Sequence, residues 1–278
     1  MTSHERIHST INHKTPDRIP VDFGSTGVTG IHVRIIEGLR RYYGMEWKPV
    51  KVIEPYQMLG DIDDQLGELI GIDVVGLYGK KNMFGIANEG WKEFKTWWGQ
   101  EVLLPGMFNT STDTKGDLYV YPEGDLSVDP TAVMPDGSYF FNAIIRQEPF
   151  AEEDMDPENN LQEFGPISGE DLEWIATETD RLTNTGKGII ASFGGTALGD
   201  IALVPGLQLK HPKGIRDVQE WYMSTLTRQD YIHQVFEKQT EIALPNLDKI
   251  SRETGNRIDA VFTCGTDFGT QTGQFCSP

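Results

Sequence analysis

Four short apolar runs in this sequence each lead into side chains able to bind a ligand or move a proton. Asp22 lies at the end of the first, Ile19 to Phe23, and opens onto Gly24-Ser25-Thr26-Gly27-Val28-Thr29-Gly30. Glycines let that backbone turn sharply and leave amides and hydroxyls available. Tyr78 ends the run from Ile72; Gly194, Gly195 and Thr196 follow Gly188 to Phe193; Asp267 and Gln271 follow Ile258 to Thr263. If the runs are parallel strands, all four places share the C-terminal edge of one sheet, where α/β folds carry out chemistry. Asp267 is the candidate acid or base, because a carboxylate at a partly dry mouth has its pKa moved towards neutrality.

Each place also has a plainer reading. Asp267 caps its own turn, Asp22 pairs with Arg18 instead of orienting substrate, and Gln271 is a turn residue instead of a hydrogen-bonding one. His32, one residue after Ile31, reaches the mouth as a proton donor or is a satisfied structural histidine.

Other chemistries are set aside by pattern. Gly24 to Gly30 contains neither a Gly-x-x-x-x-Gly-Lys nor a Gly-x-Gly-x-x-Gly spacing, so nucleotide binding is not expected. Cys264 ends a strand and reads as a thiolate or a small core residue. Cys264 and Cys276 lack zinc spacing and a nearby His, so no metal is assigned within this chain. The 278 residues carry 42 acids against 24 Lys plus Arg, a formal charge of −18. That field repels phosphate backbones and anionic lipid, which excludes nucleic acid and membrane surfaces as partners. No run approaches the roughly 18 apolar residues of a spanning helix, Met1 to Lys14 is polar, and two cysteines do not form a disulfide framework, so a cytoplasmic location is expected.

The elements that must position these residues alternate between strand and helix. Met1 to Lys14 reads as a polar helix and Ile19 to Phe23 as a strand. Ile31, Ile35, Leu39 and Tyr42 mark one face of a second helix, and Leu59, Ile62, Leu66 and Leu69 the buried face of a third. Between about 89 and 145, aromatic runs broken by Gly99-Gln100, Pro122-Glu123-Gly124 and Pro135-Asp136-Gly137 read as a β-hairpin insertion, its aromatics a small core or else a lid or dimer surface. An acidic linker covers about 147 to 167. Ser168 then starts a helix to about Asn184, and helices fill Asp217 to Arg252 with a kink at Pro245. Apolar strands alternating with amphipathic helices predict an α/β fold with a parallel sheet covered by helices.

Arg6 to Asp22, with Thr15-Pro16-Asp17-Arg18-Ile19-Pro20 at its centre, resembles the opening of the uroporphyrinogen decarboxylase superfamily. Ile189 to Thr196 is similar to its strand followed by Gly-Gly, and Gly265 to Gln271 to the acidic turn after a later strand. The resemblance implies a TIM (β/α)8 barrel. With about four barrel strands in view, the chain is expected to be the first half, incomplete at its C-terminal side and interrupted by the β-rich insertion. The superfamily includes porphyrinogen decarboxylases and methyltransferases that depend on zinc and a corrinoid. Where the decarboxylases carry an Arg-Gln-Ala-Gly-Arg run, this chain has Asp22-Phe23-Gly24-Ser25-Thr26-Gly27, which would repel an octa-anionic tetrapyrrole.

The resemblance therefore implies a methyltransferase-like enzyme acting on a small molecule. Its zinc ligands, a His-X-Cys pair and a later Cys, would lie beyond the residues given, and a corrinoid protein or a second copy would be its partner. Asp22, Gly24, Ser25, Thr26, His32, Tyr78, Gly194, Gly195, Thr196 and Gln271 would wall the substrate site beside Asp267. Tetrapyrrole decarboxylation and an inactive barrel fragment with an exposed edge are the alternatives.

Overall fold

The computed structural model describes residues 1–193, 200–263, 265–267, 269–270 and 272–274. The fold is mixed α/β, with α1 Ser3–Ile11, α2 Val33–Tyr42, β1 Val50–Glu54, β2 Leu59–Gly60, α3 Asp64–Ile70 and β3 Val74–Tyr78 in its first part. β4 Lys92–Lys95, β5 Glu101–Leu104, β6 Thr110–Thr112, β7 Leu118–Val120, β8 Ala132–Met134 and β9 Asn142–Ala143 follow. α4 Gly169–Thr183, β10 Gly188–Ser192, α5 Val218–Thr227, α6 Gln229–Thr254, β11 Ala260–Val261, β12 Gly269–Thr270 and β13 Gly273–Gln274 complete the order.

β3, β10 and β11 form a parallel sheet in the order β11-β10-β3, with β3 and β10 in register from Val74 against Gly188 to Tyr78 against Ser192. Parallel neighbours need helical crossovers. α4 supplies one, started by Ser168 accepting the Asp171 N–H at 3.0 Å; α5 and α6 supply the other. Leu77, Ile175, Leu182, Ile189, Ala191 and Ile250 make the dry seam between this sheet and α4 and α6. α6 runs through Pro245 without ending. No helix among the described residues is long and apolar enough to cross a membrane.

Three expectations change. Where a half-barrel of about four strands is expected, the parallel sheet of the described residues has three and is open. Residues 19–23 form no strand: Val21 accepts from the Asp73 N–H at 2.9 Å, but its own N–H goes to the Asp73 carboxylate, so the ladder stops after one rung. The stretch 147–167 is not a loose linker. Its Asn160 brackets Ile215 with bonds of 2.7 and 2.9 Å, and its Glu163 forms a buried ion pair with Arg216.

Helical faces are also redistributed. On α2 the buried residues are Val33, Ile36 and Arg40, while Ile35 and Tyr42 are exposed. Arg40 is carried inward with its two terminal nitrogens engaged, Nη1 by Asp63 and Nη2 by the Glu46 carbonyl, while its buried Nε has no partner. Leu59 belongs to β2, and Leu69 is exposed on α3.

The hairpins around β4 to β9 share the most extensive core of the molecule with α2 and β1. β1 pairs parallel with β5, and Phe84, Phe108 and Phe141 meet edge to face beneath Val33, Ile36 and Val52. The insertion is thus continuous with the N-terminal part of the chain.

Asp73, one residue before β3, ties these parts together. It is fully buried and accepts from Ser3 Oγ at 2.8 Å, Val21 N at 2.9 Å, Arg6 at 2.6 Å, and Arg18 at 2.7 and 2.9 Å. Burial alone would raise this carboxyl, but the Val21 amide, the Ser3 hydroxyl and the two guanidiniums outweigh it and hold it below the carboxylate range. Arg6 also grips Asp17, and the Asp73 carbonyl accepts the Gly188 N–H at 2.9 Å. Removing one partner from such a set strands the others. Asp73→Asn should lower unfolding free energy by about 2–4 kcal/mol in urea titrations at pH 7. Because the native carboxyl is depressed, its contribution is present above pH 4 and fades in acid, so the gap between wild type and variant should close as pH falls below 4.

Candidate functional site

The side chain best placed for chemistry is Glu54, the last residue of β1. It is partly buried, and each oxygen accepts one backbone N–H from the turn it starts, Tyr56 at 2.8 Å and Gln57 at 2.9 Å. Burial pushes its carboxyl up to about 7, the two amides pull the other way, and no cation contributes. A carboxyl poised near neutrality exchanges protons at working pH.

Three neighbours share its surroundings. The Tyr78 hydroxyl donates to the Gly24 carbonyl at 2.6 Å, and burial together with the charges of Asp22, Glu54 and Asp61 drives its pKa upward. Tyr78 therefore stays a neutral donor that fixes the loop. Asp61 is open to solvent, yet the surrounding protein still raises its carboxyl, with Lys51 and Lys48 opposing. Tyr56 is raised by burial and by Glu54, and its oxygen accepts the Ala143 N–H at 3.2 Å.

The loop from Asp22 to Gly30 closes over the C-terminal end of β3. Asp22 accepts from Ser25 N at 3.1 Å and from Ser25 Oγ at 2.6 Å, not from Arg18, which Asp73 has taken. Ser25 and Thr26 are buried, Gly24 has φ +86°, and the Ser25 carbonyl lies so close over Gly76 that any Cβ there would collide with it. Gly24, Ser25, Thr26 and Tyr78 thus come together with Asp22, largely holding the loop.

His32 lies apart, as the N-cap of α2. Its Nε2 meets the Tyr139 carbonyl at 3.0 Å, its Nδ1 accepts the Arg34 N–H, and Trp98 and Tyr139 flank the ring. Burial lowers its pKa, the Tyr139 carbonyl opposes this, and Arg34 adds to it. Both nitrogens serve the main chain, so the imidazole is a neutral structural group. Asp267 is exposed instead of sitting in a dry mouth, and its carbonyl accepts from the Tyr222 hydroxyl at 2.6 Å. Gly194, Gly195, Thr196, Gln271, Cys264 and Cys276 lie outside the described residues.

A separate cavity of about 320 Å³ lies in the hairpin region against Met58, Phe94, Trp98, Phe108 and Phe141; it is mainly apolar, and neither Glu54 nor Tyr78 lines it. Glu54 carried no motif in the sequence. Only the alternation of Val50, Val52 and Glu54 hinted at a strand with an acid where a third inward residue belongs.

Comparison with protein-family models, with curated proteins and with solved structures finds no match to this chain.

The raised Glu54 pKa has a thermodynamic signature. The native state holds the proton more tightly than the unfolded chain, so this contribution is complete below pH 4.5 and is lost as pH rises through about 7. Glu54→Gln removes the titration. Between pH 4.5 and 8 the stability difference should shift by about 3 kcal/mol in favour of the variant, measured by urea unfolding across that range.

Proposed function

We propose that the cleft between Glu54, Asp61 and the Asp22–Gly30 loop is the active site of an enzyme acting on a small molecule, with Glu54 as general acid. The observation that carries this reading is a carboxyl held near pH 7 without a counter-charge, beside a fixed neutral Tyr78. It is the arrangement that lets a carboxylic acid survive at neutral pH and deliver its proton.

The reaction class comes from the resemblance to the methyltransferase-like branch of the uroporphyrinogen decarboxylase superfamily. In this proposal a methyl group leaves an oxygen or nitrogen of a small donor for a thiolate, its proton already released to solvent, or for a corrinoid supplied in the Co(I) state, and the sulfur or cobalt contributes the electron pair of the new bond. The departing atom keeps the bonding pair and takes the Glu54 proton, leaving a carboxylate that is reprotonated from solvent. The cleft's donors among the described residues are carboxylates, without the sulfur and imidazole ligands that zinc favours, so no step is routed through zinc here. Asp22, Glu54 and Asp61 converge as acids where a polycarboxylate tetrapyrrole would need cations, which weighs against decarboxylation. For the architecture, the proposal is a (β/α) barrel segment. Among the described residues β11 pairs on one side only and exposes Ala260 and Val261, an edge on which a further parallel strand would fit.

The test supplies methyl ethers and methylamines with reduced cobalamin as acceptor and follows methylcobalamin formation. Turnover should fall about tenfold per pH unit above 7, and Glu54→Gln should lower kcat by roughly 10²–10⁴ with KM little changed. Wild-type turnover in that variant would remove Glu54 from the mechanism. Release of carbon dioxide from uroporphyrinogen would select the decarboxylase reading.

A further inference from the structure

At the N-terminal end of the parallel sheet, three side chains from distant parts of the chain converge. His4 and His8 are four residues apart on α1, so their rings share one face, with centroids 4.5 Å apart. They face Asp259, which immediately precedes β11. His8 Nε2 is 3.0 Å from Asp259 Oδ1 and His4 Nδ1 is 3.9 Å from Oδ2.

We infer that His4, His8 and Asp259 form a binding site for a divalent transition metal, clasping α1 to the start of the sheet. One ligand atom from each residue already lies within 4.8 Å of the other two. A tetrahedral ion with bonds of about 2.0–2.1 Å would bring them to roughly 3.4 Å of one another. The imidazoles are half exposed and free to make that adjustment, whereas Asp259 is 2% exposed and fixed.

The carboxylate is built in. Its Oδ2 accepts the Ile189 N–H at 2.8 Å, an outer-shell bond of the kind that orients a ligand. Among the described residues the two imidazoles are its only ion-pair partners, and no lysine or arginine reaches this buried side chain. A divalent cation supplies positive charge there. Two imidazoles and one carboxylate favour zinc, cobalt, nickel or copper over magnesium or calcium and leave a position for water.

The place in the fold indicates a stabilising role. Ile189 and Asp259 lie at the N-terminal ends of β10 and β11, away from Tyr78 at the C-terminal end of β3, and α1 is also held there by the Asp73 clasp, by the His4 N–H on the Gly186 carbonyl at 3.2 Å and by Ile7 packed over Gly188. An ion here would join residues separated by nearly the whole sequence, and its binding free energy would add to folding. This inference is independent of the chemistry assigned to Glu54.

The test titrates the metal-free full chain with cobalt(II) and zinc(II), alongside His4→Gln/His8→Gln, whose substitutions fall on an exposed helix face. Wild type should bind one equivalent of cobalt, with ligand-field bands and no thiolate charge-transfer band. Zinc at a hundredfold excess over Kd should raise Tm by about 5 °C. The double variant should keep a cooperative melt and bind at least tenfold more weakly. Absence of binding by wild type at 100 µM metal (a concentration of about that order suffices for any site with the affinity expected of three fixed ligands) would overturn the site. So would undiminished binding by the double variant, or a thiolate band, which would place the metal on cysteine.

Discussion

The Asp73 carboxylate is the constraint on which the rest of this molecule is assembled. Its side chain and main chain together hold α1 through Ser3 and Arg6, the 17–21 segment through Arg18 and Val21, and β10 through Gly188. Five donors to one buried carboxylate leave little freedom in where the chain enters the sheet. Val21 is fixed beside β3 by a side-chain bond in place of a second ladder rung, so the chain is released early into the loop that closes over Tyr78. The geometry of the candidate site is therefore set from the other end of β3, by an electrostatic clasp with no part in the chemistry.

Glu54 shows the opposite solution to the same physical problem. Burying a carboxylate is costly unless charge or hydrogen bonds compensate. Asp73 has two guanidiniums and stays ionised; Glu54 has two amides and no cation, so its proton is retained to about pH 7. The contrast separates a structural acid from a reactive one more sharply than exposure does, because both carboxyls are at least partly buried. It also explains why the cleft can tolerate Asp22 and Asp61 nearby: with Glu54 neutral, the acids do not all carry charge at once.

Legibility in the sequence follows the range of the interaction involved. α4 was readable from Ser168, Asp171 and its apolar spacing, since caps and helical periodicity are local. The hairpins between 92 and 143 were readable from their glycines and prolines, and β3 and β10 from continuous apolar runs. The face of α2 is legible only in part: Ile31 and Leu39 pack against the core, but Ile35 and Tyr42, which fit the same helical period, are exposed, and Val33, Ile36 and Arg40 turn inward. Only the partners of Arg40, at Glu46 and Asp63, decide which stripe turns inward. The pairing of Asp22 with Arg18, one of two readings the sequence leaves open, fails for the same reason: the competitor, Asp73, is 55 residues away. Glu54 was invisible, because what shifts its proton is enclosure by segments remote in sequence.

The loop after Asp22 shows how a glycine-rich segment can be structural and still define a site. Its hydroxyls and amides, free for a ligand by sequence, are largely consumed inside the loop: Ser25 bonds Asp22, Gly24 bonds Thr29, and Thr26 and Thr29 close a short turn. A loop so occupied has few donors left for a phosphate, but it presents a stiff wall. Stiffness follows because Tyr78 anchors Gly24 and Gly76 lets Ser25 settle against β3. The raised pKa of Glu54 depends likewise on the protein around it keeping one arrangement. A side chain at position 76 would collide with the Ser25 carbonyl and the Tyr78 ring and lift the loop from β3, so the seat of the loop and the place of the Tyr78 hydroxyl depend on the same missing Cβ.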